Sequence, residues 1–240
     1  MTALRDRLKA VLSAPGRSML RIEDLIVPYR FDILIRRRMI RLLIDQPTLD
    51  SGALLEAAAE VGYTAWFDEI EIDRFRPELK GASFRSRRKA LLERLSGLRD
   101  LLTLLERSEF RLTTPLVLNW YPSVAITDSG QSRVYGIAVG DGCHRVAALS
   151  NRGERFLVAG QYRLRPRVFR RVLDNTAVLL ARNRICREDV ARAFASEHVG
   201  FRAALLDESD GHPRTREFRQ WIEHFLSGNE VADHESRSIC

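Results

Sequence analysis

The stretch Val139-Gly140-Asp141-Gly142-Cys143-His144-Arg145-Val146-Ala147-Ala148-Leu149 decides how this chain is read. An apolar run ends at Val139, two glycines bracket an aspartate, and a segment with helical spacing begins at Cys143. That order predicts a strand, a tight turn and a helix. Glycine supplies positive φ and lets a ligand approach the main chain. The N–H groups of a first helical turn lack intrahelical partners, and with the helix dipole they form an anion site. His144 and Arg145 fall in that turn and add donors and positive charge. The planar fork of an arginine suits a phosphate. Asp141 has the opposite sign and is placed to hold a metal ion, to orient His144 or to accept a proton from a substrate hydroxyl. The motif is not a Walker A loop, because Gly-Lys-Ser/Thr is absent, nor GxGxxG, because Arg145 stands at the final glycine position. The purely structural alternative is a strand–turn–helix corner with a capping Asp and a buried Cys, for which His and Arg are poor first-turn choices.

Working outward, Ser83 is the expected cap of a long helix from Phe84 to about Arg107, with Leu91, Leu92, Leu95, Leu98, Leu102 and Leu105 at helical spacing. Pro115 introduces a short strand over 116–120. Residues 123–126 and 133–139 flank the polar turn Thr127-Asp128-Ser129-Gly130-Gln131 and read as a hairpin. The helix that starts at Cys143 runs to Asn151 and is stopped by Gly153, and another strand covers 156–164. Residues 79–165 therefore form an α/β core. Residues 1–78 read as helical packing with no catalytic part: helices over 3–13, over 31–45, and from Ser51-Gly52 to about Val61, stopped by Gly62. Residues 166–240 read as helices near 187–196, 201–206 and 215–225, with a polar tail from Ser227. The expected fold class is α+β, a small mixed-sheet domain between helical N- and C-terminal regions.

The box Gly140–Arg145, followed by Val146-Ala147-Ala148-Leu149, resembles the DGxHR box of the ParB/sulfiredoxin superfamily. The order of helix, Pro-led strand, hairpin, box helix and strand is similar to the small domain of ParB N-terminal regions, sulfiredoxins and free-serine kinases. The resemblance covers about residues 79–165 and is strongest over 133–149. It implies a box that binds nucleotide phosphates through Gly140, Gly142, Cys143, His144 and Arg145. Sulfiredoxin boxes read Gly-Cys-His-Arg with the cysteine as catalytic thiol, the position of Cys143. A thiol at a helix N-terminus beside His and Arg is expected to be reactive. Asp141 instead matches the kinase-like and ParB-like branches, so the box is a hybrid with Asp141, Cys143 and His144 as catalytic candidates. In the resembling domains the long helix lies near the nucleotide, which makes Lys80, Ser83 and Lys89 (with Arg85) further phosphate-binding candidates.

Three activities follow from the resemblance. The first is an ATP-dependent phosphotransferase acting on a small hydroxylated metabolite, with ATP or another nucleotide and Mg²⁺ held in part by Asp141. The second is sulfiredoxin-like redox chemistry through Cys143. The third is a ParB-like nucleotide-switched DNA binder or nuclease. It is the least favoured, because no helix-turn-helix with a basic recognition face follows the box and the usual Gly-Glu-Arg-Arg form is replaced.

Composition sets the outer bounds. The chain has 240 residues, 45% hydrophobic and 30% charged, an ordinary globular balance. No apolar run reaches the length of a membrane span, and Arg5, Asp6, Arg7 and Lys9 interrupt the start, so a cytoplasmic protein without a secretory signal is expected. Cys143, Cys186 and Cys240 make neither a disulfide framework nor a CxxC zinc site, and Cys186 is expected to be buried. The net charge of +7 and pI of about 9.8 raise a nucleic-acid reading. The basic residues are nearly all arginines, often beside Asp or Glu, and a solvated charged surface is the preferred meaning. Arg36-Arg37-Arg38 reads likewise as a solvated helix face. Trp66 and Phe67 beside Asp68, Glu69, Glu71 and Asp73 read as a surface loop packing its aromatics. His212 in the turn Ser209–Pro213, and His198, His224 and His234, make no metal-spaced pair.

Overall fold

The computed structural model describes residues 19–22, 25–26, 30–109, 112–127, 130–168, 175–186 and 188–190, with the backbone alone for 121–136 and 166–168. The elements in chain order are β1 (Leu20–Arg21), α1 (Phe31–Asp45), α2 (Ser51–Glu60), a composite α3, α4 (Phe84–Arg107), β2 (Leu116–Thr127), β3 (Gly130–Asp141), α5 (Cys143–Asn151), β4 (Phe156–Leu157), β5 (Tyr162–Val168) and α6 (Asn175–Ala181). The composite α3 joins α-helical Tyr63–Trp66, a π turn Phe67–Glu71 and α-helical Ile72–Phe75. The architecture is mixed α+β. Among the described residues, no helix is long and apolar enough to cross a membrane.

The local causes are visible at the helix starts. Asp50 caps α2 by accepting from Gly52 N (2.8 Å) and Ala53 N (3.0 Å), one residue before the expected opening at Ser51. The Ser83 hydroxyl accepts from Ser86 N at 3.2 Å and starts α4 where the sequence places it. Within α4, Ala90, Leu91, Leu95, Leu98 and Leu105 are buried, one face of a 3.6-residue period.

The main sheet has the order β3-β2-β5, with β2 antiparallel to β3 and parallel to β5. The hairpin is longer than expected, because β2 is continuous from Leu116 to Thr127 and passes through Pro122. Pairing with β5 ends at Trp120↔Val168, so the missing N–H of Pro122 falls beyond it. The expected strand over 156–164 is two strands. Gly160, at φ +91, breaks the run, and the pieces serve different sheets. Phe156 and Leu157 pair with Arg21 and Leu20, while β5 begins at Tyr162. The helix expected near 187–196 is seen at 188–190, and α6 had no counterpart in the sequence reading. The segments expected as helices over 3–13, 201–206 and 215–225, the tail, the Ser209–Pro213 turn, Cys240, and His198, His224 and His234 lie outside the described residues.

One hydrophobic cluster joins residues from all three sequence zones, from Ile22, Ile33, Leu34 and Trp66 through Leu95 and Leu118 to Val146, Leu149, Leu179 and Val190. Helix α5 packs along α1, and Asn151 Nδ2 donates to Arg37 O at 2.8 Å. The N-terminal helices thereby form one wall of the box. Three expectations are corrected. Trp66 and Phe67 are fully buried helical residues, the one ending the first α-helical part of α3 and the other opening its π turn. Arg36 is buried rather than solvated. Cys186 is exposed, near the end of the segment that follows α6.

Candidate functional site

The turn before α5 is built by two close approaches. Opposite Leu118 and Val117 stand Val139 and Asp141, so Gly140 is the extra residue of a bulge. A Cβ there would overlap the Asn119 amide. Gly142 sits at φ +99 and is the N-terminal flanking residue of α5, and a Cβ there would overlap Leu116 Cδ2. Val146 N donates to Gly142 O at 2.9 Å, the first bond of the helix. No side chain caps α5. The N–H groups of its first turn are thus left for another acceptor.

The box side chains split into two groups. Arg145 lies outward with Asp141. Its Nη1 donates to Thr114 O and lies 3.5 Å from Pro115 O, and Nη2 donates to Asp141 Oδ2 at 3.3 Å. The Asp141 side chain is 67% exposed and that of Arg145 16%. A cavity of about 220 Å³ opens beside Arg145, walled by Leu104 and Leu105 of α4 and by Leu112, Thr113 and Thr114. The larger depression, about 590 Å³ between α1, α3 and the segment after α6, contains none of residues 140–145.

Cys143 and His144 face inward, onto residues that sequence reasoning did not connect to the box. Arg30 donates through Nη1 to Val139 O (2.8 Å) and through Nη2 to Cys143 Sγ (2.9 Å). It also grips Asp32, Nε to Oδ1 at 2.8 Å and Nη2 to Oδ2 at 3.1 Å. Asp32 is fully buried and bonds Arg36 Nη1 as well. The Arg36 guanidinium lies 4.0 Å over the Trp66 ring. Burial opposes the charge on Asp32, but Arg30 and Arg36 outweigh it and hold the carboxyl well below its ordinary range. Burial likewise opposes the charge on Arg30, yet Asp32 and then Cys143 raise its pKa further.

His144 Nε2 is 2.8 Å from Tyr63 Oη, and its ring meets Trp66 edge-on with centroids 5.7 Å apart. Part of the residue still reaches the surface, but the ring lies deep enough for desolvation to dominate. Desolvation first, then Arg36 and Arg94, depress the His144 pKa well below its ordinary value. Burial pushes the Tyr63 phenol up to about 12. A neutral imidazole and a neutral phenol share one hydrogen bond here, and which of Tyr63 Oη and His144 Nε2 donates is set by the imidazole tautomer. Arg94 reaches the same phenol and holds buried Glu71 at 3.2 Å, Nη2 to Oε1.

The consequence for pH follows from the sign of the shift. Unfolded His144 takes up a proton near pH 6.5, while the folded state resists protonation to a much lower pH. Stability is therefore full above about pH 6.5 and falls on acidification, by up to about 1.4 kcal/mol per pH unit. Urea unfolding at about pH 7.5, 6.5 and 5.5 checks this. His144→Gln removes the titrating group, and its stability should fall less steeply over that window.

The structure brings Asp141, Gly142, Cys143, His144 and Arg145 together, as a helix start must. Among the described residues, the bonds of Lys80 and Ser83 are made elsewhere than at the box. Lys80 Nζ is 2.7 Å from Asp73 Oδ1, Ser83 caps α4, and Lys89 lies exposed near the start of the same helix. Two signals for the missed partners lay in the sequence. Asp32 and Arg36 stand four apart around the apolar run Ile33-Leu34-Ile35, a charge pair inside a core segment. Tyr63 and Trp66 stand three apart. Neither signal names the box as partner, because Arg30 and Tyr63 are 113 and 81 residues from Cys143 and His144. Among the described residues, no group of three or more His, Cys, Asp or Glu side chains is arranged to hold a metal ion. Comparison with protein-family models, with curated proteins and with solved structures found no match to the chain.

Proposed function

We propose that the start of α5 is a nucleotide phosphate site of the ParB/sulfiredoxin type, and that the chain is an ATP-dependent phosphotransferase acting on a small hydroxylated metabolite. The observation that carries the reading is the uncapped first turn of α5 with Arg145 at its outer edge. Such a turn offers N–H donors and the positive end of the dipole to a phosphate. The Asp141–Arg145 pair is long and half in solvent, and pairs of that kind contribute little. A phosphate displaces the carboxylate from Nη2 at small cost, while the Thr114 carbonyl keeps the guanidinium in place. The released Asp141 then faces the phosphates. One carboxylate together with phosphate oxygens is an ordinary Mg²⁺ ligand set, so Asp141 fits the metal, whose chemistry is to neutralise charge on the phosphates. Leu104 and Leu112 in the neighbouring cavity give the nucleoside an apolar wall. His144 meets Tyr63 through Nε2, which fixes the ring at the helix start and leaves Nδ1 as the nitrogen for a phosphate.

The test is calorimetric titration with ATP, ADP and CTP in the presence of Mg²⁺. Arg145→Lys keeps the charge but loses the fork and should weaken nucleotide binding at least about tenfold. Asp141→Asn should retain binding without Mg²⁺ and lose the gain that Mg²⁺ adds. No binding to the wild-type chain would sink the reading.

A second reading has its own observation. Arg30 Nη2 lies 2.9 Å from Cys143 Sγ, a guanidinium aimed at a sulfur on a helix N-terminus. This favours sulfiredoxin-like thiol chemistry with ATP as the activating partner. In a Cys186→Ser/Cys240→Ser background, Cys143→Ser should abolish any ATP-dependent reduction of a sulfinic acid. If ATP-dependent transfer to a hydroxyl acceptor survives that change, the first reading stands.

A further inference from the structure

Residues 74–89, RFRPELKGASFRSRRK, carry seven Arg or Lys against one Glu, a net +6 in a chain whose total is +7. The surplus is partly offset, because Asp73 pairs with Lys80 and Asp68 lies 4.0 Å from Arg87. The carboxylates just upstream are engaged: Glu71 with Arg94, Asp73 with Lys80, and Asp68 and Glu69 with Arg184. Arg85, Arg88 and Lys89 stand at i, i+3 and i+4, one face of the first two turns of α4. Among the described residues, no carboxylate pairs with any of the three. The same corner presents Phe75 and Phe84, at 66% and 69% the most exposed large hydrophobic side chains among the described residues. The Arg88 guanidinium lies 5.4 Å from the Phe84 ring centre, so that ring already carries a planar cationic group on one side.

We infer that this corner binds a single-stranded nucleic acid, the phosphates running along Arg85, Arg88 and Lys89 and the bases stacking on Phe84 and Phe75. Exposed rings beside unpaired cations are the two components of a strand-binding surface, and arginine serves both because it forks to phosphate and stacks on planar groups. The dipole of the 24-residue α4 adds positive potential at this end. An anionic membrane also matches exposed phenyl rings and basic charge. It fits less well, because Asp73 and Glu78 sit in the same corner and a flat anionic surface would press on them, whereas a strand can follow the free stripe alone. This inference does not depend on the box at 140–145.

The experiment is fluorescence anisotropy with a labelled oligothymidylate of about 20 nucleotides, with a duplex of the same length, and sedimentation with phosphatidylcholine/phosphatidylserine vesicles. The full chain is expected to bind the single strand more tightly than the duplex. The logarithm of its affinity should fall against the logarithm of salt with a slope of about −2, three phosphates at roughly −0.7 each. Phe75→Ala/Phe84→Ala should weaken single-strand binding at least about tenfold, and Arg85→Glu/Arg88→Glu/Lys89→Glu should abolish it. Phe75, Phe84, Arg85 and Lys89 are exposed and Arg88 is half-buried, and unchanged urea unfolding and ATP titration confirm that the fold and the box are intact. Equal or tighter duplex binding, binding to the vesicles alone, no binding, or single-strand binding indifferent to both variants would each overturn the assignment.

Discussion

Replacing Asp32 with alanine is expected to lower the unfolding free energy by about 3–5 kcal/mol. Among the described residues, Asp32 is the one carboxylate paired with the two buried guanidiniums, Arg30 and Arg36. Removing it leaves two positive charges that have lost their counter-ion in a region closed to water. The two-nitrogen grip on Arg30 goes with it, and so does the orientation of Nη2 toward Cys143. Urea unfolding measures the loss. If Asp32→Ala does not fold, the triple variant Arg30→Met/Asp32→Leu/Arg36→Met supplies the contrast. Replacing a whole buried ionic cluster with apolar side chains is usually far less costly than removing one member. A triple variant no more stable than the single one would show that packing, not charge pairing, governs this corner. Because the folded carboxyl is held far below its ordinary range, the Asp32 contribution is present above the unfolded value near pH 4 and is lost only in strong acid.

Gly142→Ala is expected to cost about 2–5 kcal/mol, in two separable parts. The left-handed backbone at φ +99 costs a side chain about 1–2 kcal/mol, and overlap with Leu116 adds about 1–3 kcal/mol. Gly153→Ala isolates the first part, since it sits at φ +79 with nothing within 4 Å of the added methyl. It should cost only about 1–2 kcal/mol. A Gly142→Ala variant no less stable than Gly153→Ala would remove Leu116 from the account. Because Gly142 opens α5, the shift also turns the first-turn N–H groups, and nucleotide affinity should fall together with stability.

Helices α1 and α4 have the bounds read from periodicity and caps, and α5 starts where Gly142 allows it. Apolar spacing and a cap act within four residues, so the chain states them locally. The hairpin was also legible, though its length was not, because strand pairing carries past Pro122 on the side that needs no N–H from it. Trp66-Phe67 and Arg36 were misread for one reason: an acidic or basic neighbour says nothing about burial until its partner is known. Asp32 takes Arg36 inward, and Phe67 is buried where it opens the π turn.

The α+β character and the strand–glycine–helix box are legible in the chain alone. What each box side chain touches came from packing, which gave Cys143 to Arg30, His144 to Tyr63 and Arg145 to the Thr114 carbonyl. It also split the 156–164 segment between two sheets. The physical reason is common to all of these. Ion pairs, buried hydrogen bonds and strand pairings between residues tens of positions apart have no period and no flanking signal. They are fixed by which apolar faces pack together, and in this protein α5 packs on α1.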